Sequence, residues 1–247
     1  MKERPILFST PMVIANLAGL KTQTRRAVKF PLFDKTQCFE LDESYGNDLA
    51  NPRESIDHLC PYGKVGDQLW VKETFYAYGK WEWRHNDKKQ RKETYFVDMT
   101  MDMDRLYQYA AEPLQMTPED VQTDKLGWYK RPSIFMPRKA SRITLEITGI
   151  RVERLQDISE ADAEAEGVLK NWCGDLSTGP NGFGGTGWVP DCGWINYQSG
   201  EDGPEAYTPK ESYQTLWDSI NGDGSWDANP WVWVVEYKVI NPVGEAK

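Results

Sequence analysis

Residues 17 to 26 read LAGLKTQTRR: a helix tail, a glycine, then Lys21, Thr24, Arg25 and Arg26 within six positions. An ammonium, a hydroxyl and two guanidiniums this close together could hold an anionic or polar ligand. The same residue types also make an ordinary solvated strand. Spacing constrains the choice, because positions three apart on a continuous strand face opposite ways. Lys21 and Thr24 can act on one ligand only if the chain bends after Gly19.

Holding that segment takes a helix before it and a strand after it. Pro5 to Phe8 is a short apolar strand pattern. Ser9 or Thr10 then N-caps a helix with Pro11 in its first turn, and Gly19 is the left-handed stop. Thr22 to Val28 reads as extended, and residues 30 to 63, rich in Asp, Asn, Pro and Gly, read as a long loop. GDQLWVKETF (66 to 75) opens on a Gly-Asp turn and continues as a strand with Leu69, Val71, Glu73 and Phe75 on one face. A carboxylate on so apolar a face is expected near an exposed strand end.

Residues 76 to 130 mix charge with aromatics without a sustained period and read as an insertion with little regular structure. RITLEITGIRVERL (142 to 155) alternates and is β-branched, hence a strand. In the following DISEADAEAEGV, Ser159 is the N-cap and Gly167 the stop. The glycine-rich residues 169 to 207 form a second loop insertion. Thr208, Pro209 and Glu211 start a helix to Asn221, and PWVWVVEYKVI closes the chain as a strand with Trp231, Trp233, Val235 and Tyr237 on a core face. The fold class expected is α+β: one domain over 1–247, a small mixed β-barrel with short helices and insertions at about 76–130 and 169–207.

A net charge of -9 opposes non-specific binding to a long polyanion, so no stable complex with long duplex DNA is expected. A nucleoside or short single strand at a local basic patch remains compatible with it. The 11 Trp, 12 Tyr and 8 Phe can build a core or stack on bases. With no apolar run near ~20 residues and no cleavage site after MKERPILFSTP, a cytoplasmic protein without membrane association is expected. Cys38, Cys60, Cys173 and Cys192 lie far apart with no C-x-x-C pair, which fits reduced thiols. Zinc held by His58, Cys60 and two distant cysteines has less support, because ligand pairs usually sit closer, and no metal or cofactor is expected. GFGGTG (182 to 187) lacks the flanking strand and helix of a dinucleotide site, and Asp98, Asp102 and Asp104 lack the Gly and Glu of a calcium loop. Lys130, Arg131, Arg138, Lys139 and Arg142 read as a solvated basic surface ahead of a phosphate track.

Taken together, LAGLKTQTRR, KVGDQLWV, ERLQDISEADAEAEGV and NPWVWVVEYKVI resemble the ASCH family of the PUA-like β-barrel superfamily, which is linked to RNA and modified nucleosides. The resemblance is closest to ASCH proteins of phages and prophages, through CPYGKVGDQLWVKETF, RPSIFMPRKASRITLEITGIRVERLQDIS and LWDSING. It spans most of the chain apart from residues 30–55, 76–125 and 170–207. The family's bacterial N4-acetylcytidine amidohydrolases use a lysine and threonine in an L-A-G-x-K-T-x-T pattern and a glutamate in an A-E-x-E pattern. Those positions are Lys21, Thr24 and Glu166 here.

The resemblance therefore implies an amidohydrolase in which Thr24 attacks the acyl carbonyl, Lys21 takes its proton and Glu166 protonates the departing amine. Lys21 would need a pKa well below the usual ~10.4, which burial and the charges of Arg25 and Arg26 would supply. Glu166, in the last helical turn before Gly167, meets carbonyl dipoles that favour its protonated form. Arg25, Arg26, Gly66 and Asp67 would line the ligand pocket. The expected partner is a modified nucleoside or single-stranded RNA. Two other classes share the pocket: a binding module that recognises a base in RNA or DNA without chemistry, and an ASCH-type ribonuclease.

Overall fold

The computed structural model describes residues 1–29, 32–34, 39–41, 59–119, 124–169, 194–198, 206 and 208–240. The architecture is mixed α+β, rich in strands and with few helices. The chain divides into two compact units. The first holds Met1–Lys2, Ala15–Asp67 and Glu146–Val239; the second holds Glu3–Ile14, Gln68–Leu145 and Ile240–Lys247.

In the first unit, β2 (Gln23–Ala27) runs antiparallel to β11 (Trp231–Val239), with Thr24 opposite Val235 and Arg25 opposite Val234. β11 also neighbours β10 (Thr144–Arg154), most of which lies in this unit. Trp231, Trp233, Val235 and Tyr237 are buried, and so are Val232 and Val234 on the opposite face. Cover on both faces explains why β11 is a continuous apolar run. Two helices pack beside each other, α2 (Glu160–Ala165) and α3 (Pro209–Asn221). Ser159 caps α2 by accepting from Asp162 N, and Thr208 with Glu211 forms the complete capping box of α3. The apolar face of α3 buries Tyr213 and Trp217, with Trp226 edge-on to Tyr213 at 6.3 Å. Within the stretch read as one long loop, β3 (Leu32–Asp34) and β4 (Phe39–Leu41) form a short antiparallel pair.

In the second unit, β1 (Glu3–Leu7) runs parallel to β5 (Gln68–Lys72), with Ile6 opposite Val71. Val71 N also bonds to Ile143 O, just before β10 begins. A second sheet is built on β6 (Phe75–Asn86), paired with β7 (Arg91–Asp98), β8 (Gln108–Tyr109) and β9 (Gly127–Arg131), all antiparallel. The first helix, α1 (Thr10–Leu17), passes from this unit into the other.

The structure corrects three expectations. Residues 76–130 contain four strands rather than little regular structure. Their alternation pairs aromatic with charged residues on a half-exposed ribbon, so an apolar period does not reveal it. Glu73 is not at an exposed end: it is 2 % exposed, and Arg142 forks it at 2.9 and 3.1 Å. A bidentate guanidinium satisfies both oxygens and lets the carboxylate lie among Leu69, Val71 and Phe75. Among the described strands, β1 pairs only with β5 and β2 only with β11, so the sheets are open and do not close into a barrel.

The basic run is also less solvated than its composition implies. Arg138 pairs with Glu3, Arg142 pairs with Glu73 and Glu112, and Arg131 lies over the rings of Trp81, Phe96 and Phe135. No helix among the described residues is long and apolar enough to cross a membrane.

Candidate functional site

The bend that the sequence requires is present. Gly19 has φ +71, and both Leu20 N and Lys21 N bond to Ala15 O at the end of α1. Thr22 N bonds to Ala165 O, so residues 20 to 22 are tied to the ends of two helices before β2 begins. Gly167 makes that approach feasible. A Cβ there would sit 2.8 Å from the Cβ atoms of both Ala15 and Lys21, and its φ of +83 already favours glycine.

This backbone delivers Lys21 to Glu166 across 145 positions of sequence. Lys21 Nζ donates to Glu166 Oε2 at 2.8 Å and to the Glu166 carbonyl at 2.6 Å. Arg25 Nη1 donates to the other carboxylate oxygen at 3.1 Å. Arg25 also bonds to Glu153 Oε1 through Nε at 3.0 Å and Nη2 at 2.5 Å, with Asp162 Oδ2 3.6 Å away. Gln23, on the same face of β2, donates to the carbonyl and carboxylate of Asp162. Arg151 bridges Glu153 and Asp162 at 3.0 Å each. Arg151 also pairs with Glu236, so the cluster interleaves four carboxylates with three cations.

Burial governs its electrostatics. Lys21, Arg25 and Glu166 are each 2–3 % exposed. Desolvation pushes the Lys21 ammonium below the usual lysine range; Glu166 opposes that shift, while Arg26 and Arg25 reinforce it. Burial works against the Arg25 charge as well, but Glu166 and Glu153 outweigh it and raise its pKa. Burial also lifts the phenols of Tyr213 and Tyr237 well above the usual tyrosine range, and the Glu166 charge adds to both shifts. Asn16 lies beside Tyr237.

Lys21, Arg25 and Glu166 are therefore brought together. Thr24 is buried on β2, and strand alternation turns it away from the face carrying Gln23 and Arg25. Among the described residues its hydroxyl has no hydrogen-bond partner. Arg26 is half-buried, close enough to Tyr62 for its charge to act on that phenol. Asp67 anchors a turn rather than standing open to a ligand: its carboxylate accepts from the backbone N–H groups of Lys2 and Lys64. Gly66 serves the same turn with φ +87. Both oxygens of Glu166 accept from cations, so in this state it anchors the cluster.

Glu153, Asp162, Arg151 and the two tyrosines were not foreseen as part of the site. The only sequence signal for Arg151 and Glu153 was their shared face on β10, which any exposed strand would show. Of the cysteines only Cys60 lies in the described residues, where it is buried; His58, Cys38, Cys173 and Cys192 lie outside them, as does GFGGTG. Among the described residues no group of three or more His, Cys, Asp or Glu is arranged to hold a metal ion. Comparison of the chain with protein-family models, curated proteins and solved structures finds no match.

Proposed function

We propose that the protein is an ASCH-type, PUA-like nucleoside or RNA-base protein whose Lys21 site removes an acyl group from N4-acylated cytidine. The observation that carries this reading is the buried Lys21–Glu166 contact at 2.8 Å, with a lysine whose pKa burial has lowered. A lysine works as a base only when neutral, and burial beside Arg25 and Arg26 favours that state. Thr24 Oγ forms the bond to the acyl carbon as Lys21 takes its proton. The 2.8 Å contact then relays a proton through Glu166 to the departing N4 amine, and water releases the acyl group from Thr24. For Thr24 to attack, its side chain must reach the cluster when substrate is bound.

A second reading, a base-recognition module, draws on the charge balance of the cluster. Arg25 and Glu166 are already satisfied by protein partners, as expected of a scaffold that shapes a pocket without reacting. Incubating the protein with N4-acylated cytidines and short RNAs, followed by mass spectrometry, tests both readings. Deacylated cytidine supports the hydrolase, and its loss in Thr24→Ala with affinity kept within a few-fold supports the nucleophile. Bound but unchanged ligand supports the module, and shortened RNA assigns a ribonuclease instead.

A further inference from the structure

Residues 80–93 carry six Lys and Arg against three Asp and Glu, in a chain whose net charge is -9. They form the outer part of the β6–β7 hairpin. Among the described residues β9 pairs with β6 as far as Gly79, and the last bond to β6 from that side is Asp124 N to Trp81 O. Glu82 to Asn86 pair with β7 alone among the described residues, so a two-stranded ribbon continues about 17 Å beyond that bond. Its tip is fixed: the Asn86 side chain accepts from Lys88 N and Lys89 N, and Gln90 takes φ +49 with its amide on Asp87 O. Its base is fixed as well, by edge-on contacts among Trp81, Phe96 and Tyr129.

The register sorts the charges onto two faces. On one, Glu82 pairs with Lys80 and Arg84, and Glu93 pairs with Arg91 and with Lys89 of the turn. The other carries Trp83 opposite Thr94, then His85 opposite Lys92. Trp81, two residues inward on this second face, is packed, whereas Trp83 is 58 % exposed. Neither Lys92 nor Lys88 of the turn forms an ion pair among the described residues. We infer that this face of the ribbon is a second, independent binding surface for a single-stranded polynucleotide, with a base stacked on Trp83 and phosphates at Lys92 and Lys88.

The chemistry selects that partner. An exposed indole flanked by unpaired ammoniums matches an unstacked base between phosphates. A duplex keeps its bases stacked and leaves Trp83 nothing to stack on. Carboxylates neutralise the cations of the other face, whereas on this one the single carboxylate, Asp87 of the turn, lies 3.6 Å from His85 and leaves Lys88 and Lys92 unengaged among the described residues.

Fluorescence anisotropy of labelled 12-mer RNA and DNA single strands with the full chain tests it. Trp83→Ala is expected to weaken binding about ten- to a hundredfold, with Trp83→Phe close to wild type. The Lys88→Ala, Lys92→Ala pair is expected to flatten the slope of log affinity against log salt by about 1.4, for two phosphate contacts. Arg84→Ala, on the paired face, should bind within twofold of wild type. The RNA and DNA arms decide which sugar is preferred. Trp83→Ala binding as wild type, or a blunt duplex binding as well as the single strand, would overturn the proposal.

Discussion

Replacing Glu166 with glutamine removes one charge from a buried cluster while nearly preserving its shape. Lys21 would lose the carboxylate that holds its ammonium at 2.8 Å, whereas Arg25 would keep Glu153 and Asp162. Removing one partner of a buried pair costs about 3–5 kcal/mol. Because Arg25 stays paired, the lower end, about 3 kcal/mol, applies. Lys21→Met is not the mirror image: Glu166 would still be held by Arg25 at 3.1 Å, so the loss should be nearer 1–2 kcal/mol. The double variant should cost less than the sum, with a coupling energy of about 1–3 kcal/mol. At roughly 2–4 °C per kcal/mol for a chain of this size, Glu166→Gln should lower Tm by about 6–12 °C. Urea unfolding of the four proteins at pH 7 closes the cycle. A Lys21→Met loss as large as that of Glu166→Gln, or a coupling near zero, would refute the geometry on which this rests.

Gly167→Ala combines a left-handed φ with a Cβ 2.8 Å from two neighbours, so a loss of about 2–4 kcal/mol is expected by urea denaturation, with little ordered native protein if the contact cannot relax. Gly79→Ala would drive a Cβ into the Val97 carbonyl, so it should destabilise the hairpin, read as faster amide exchange across 79–98. Tyr213 and Tyr237 keep their protons in the folded state at pH values where the unfolded chain releases them. Each should therefore make stability fall by about 1.4 kcal/mol per pH unit above about pH 10. Lys21 acts oppositely, since between its lowered pKa and ~10.4 the unfolded chain binds the extra proton and stability rises with pH. Tyr237→Phe should flatten the alkaline fall and Lys21→Met should steepen it, both measured by urea unfolding from pH 8 to 12.

Where a local rule dictates the backbone, sequence and structure agree. Ser159 and Gly167 bracket α2, Thr208 and Glu211 start α3, and Gly19 ends the turn after α1, because caps and left-handed stops act within a few residues. β10 and β11 were legible from alternation and from an unbroken apolar run. What escaped depends on partners distant in sequence. Glu73 lies inside because Arg142, 69 positions away, meets it, and Glu166 is an acceptor because Lys21 and Arg25 arrive from β2 and the turn before it. The carbonyl dipoles at the end of α2 are weak beside two cations in direct contact with the Glu166 carboxylate. The four strands of 75–131 were hidden because aromatics alternating with charges satisfy no apolar period.

The Lys21 cluster is costly for an ion pair with no task beyond stability. Burying each ion costs several kcal/mol, and an apolar pair of similar volume often does as well or better. Here the chain gathers Lys21, Arg25, Arg151, Glu153, Asp162 and Glu166 from the pre-β2 turn, β2, β10 and α2, beside two buried phenols. Excluding water strengthens every field acting on a proton in that space. Lys21→Arg separates a structural role from a chemical one. Arginine keeps the charge for Glu166, so it should recover at least half of the stability lost in Lys21→Met. It cannot release its proton at neutral pH, so it should recover none of the proposed deacylation. Unfolding and single-turnover hydrolysis on the same three proteins give both numbers. Activity returning together with stability would make Lys21 an electrostatic anchor and move the base elsewhere.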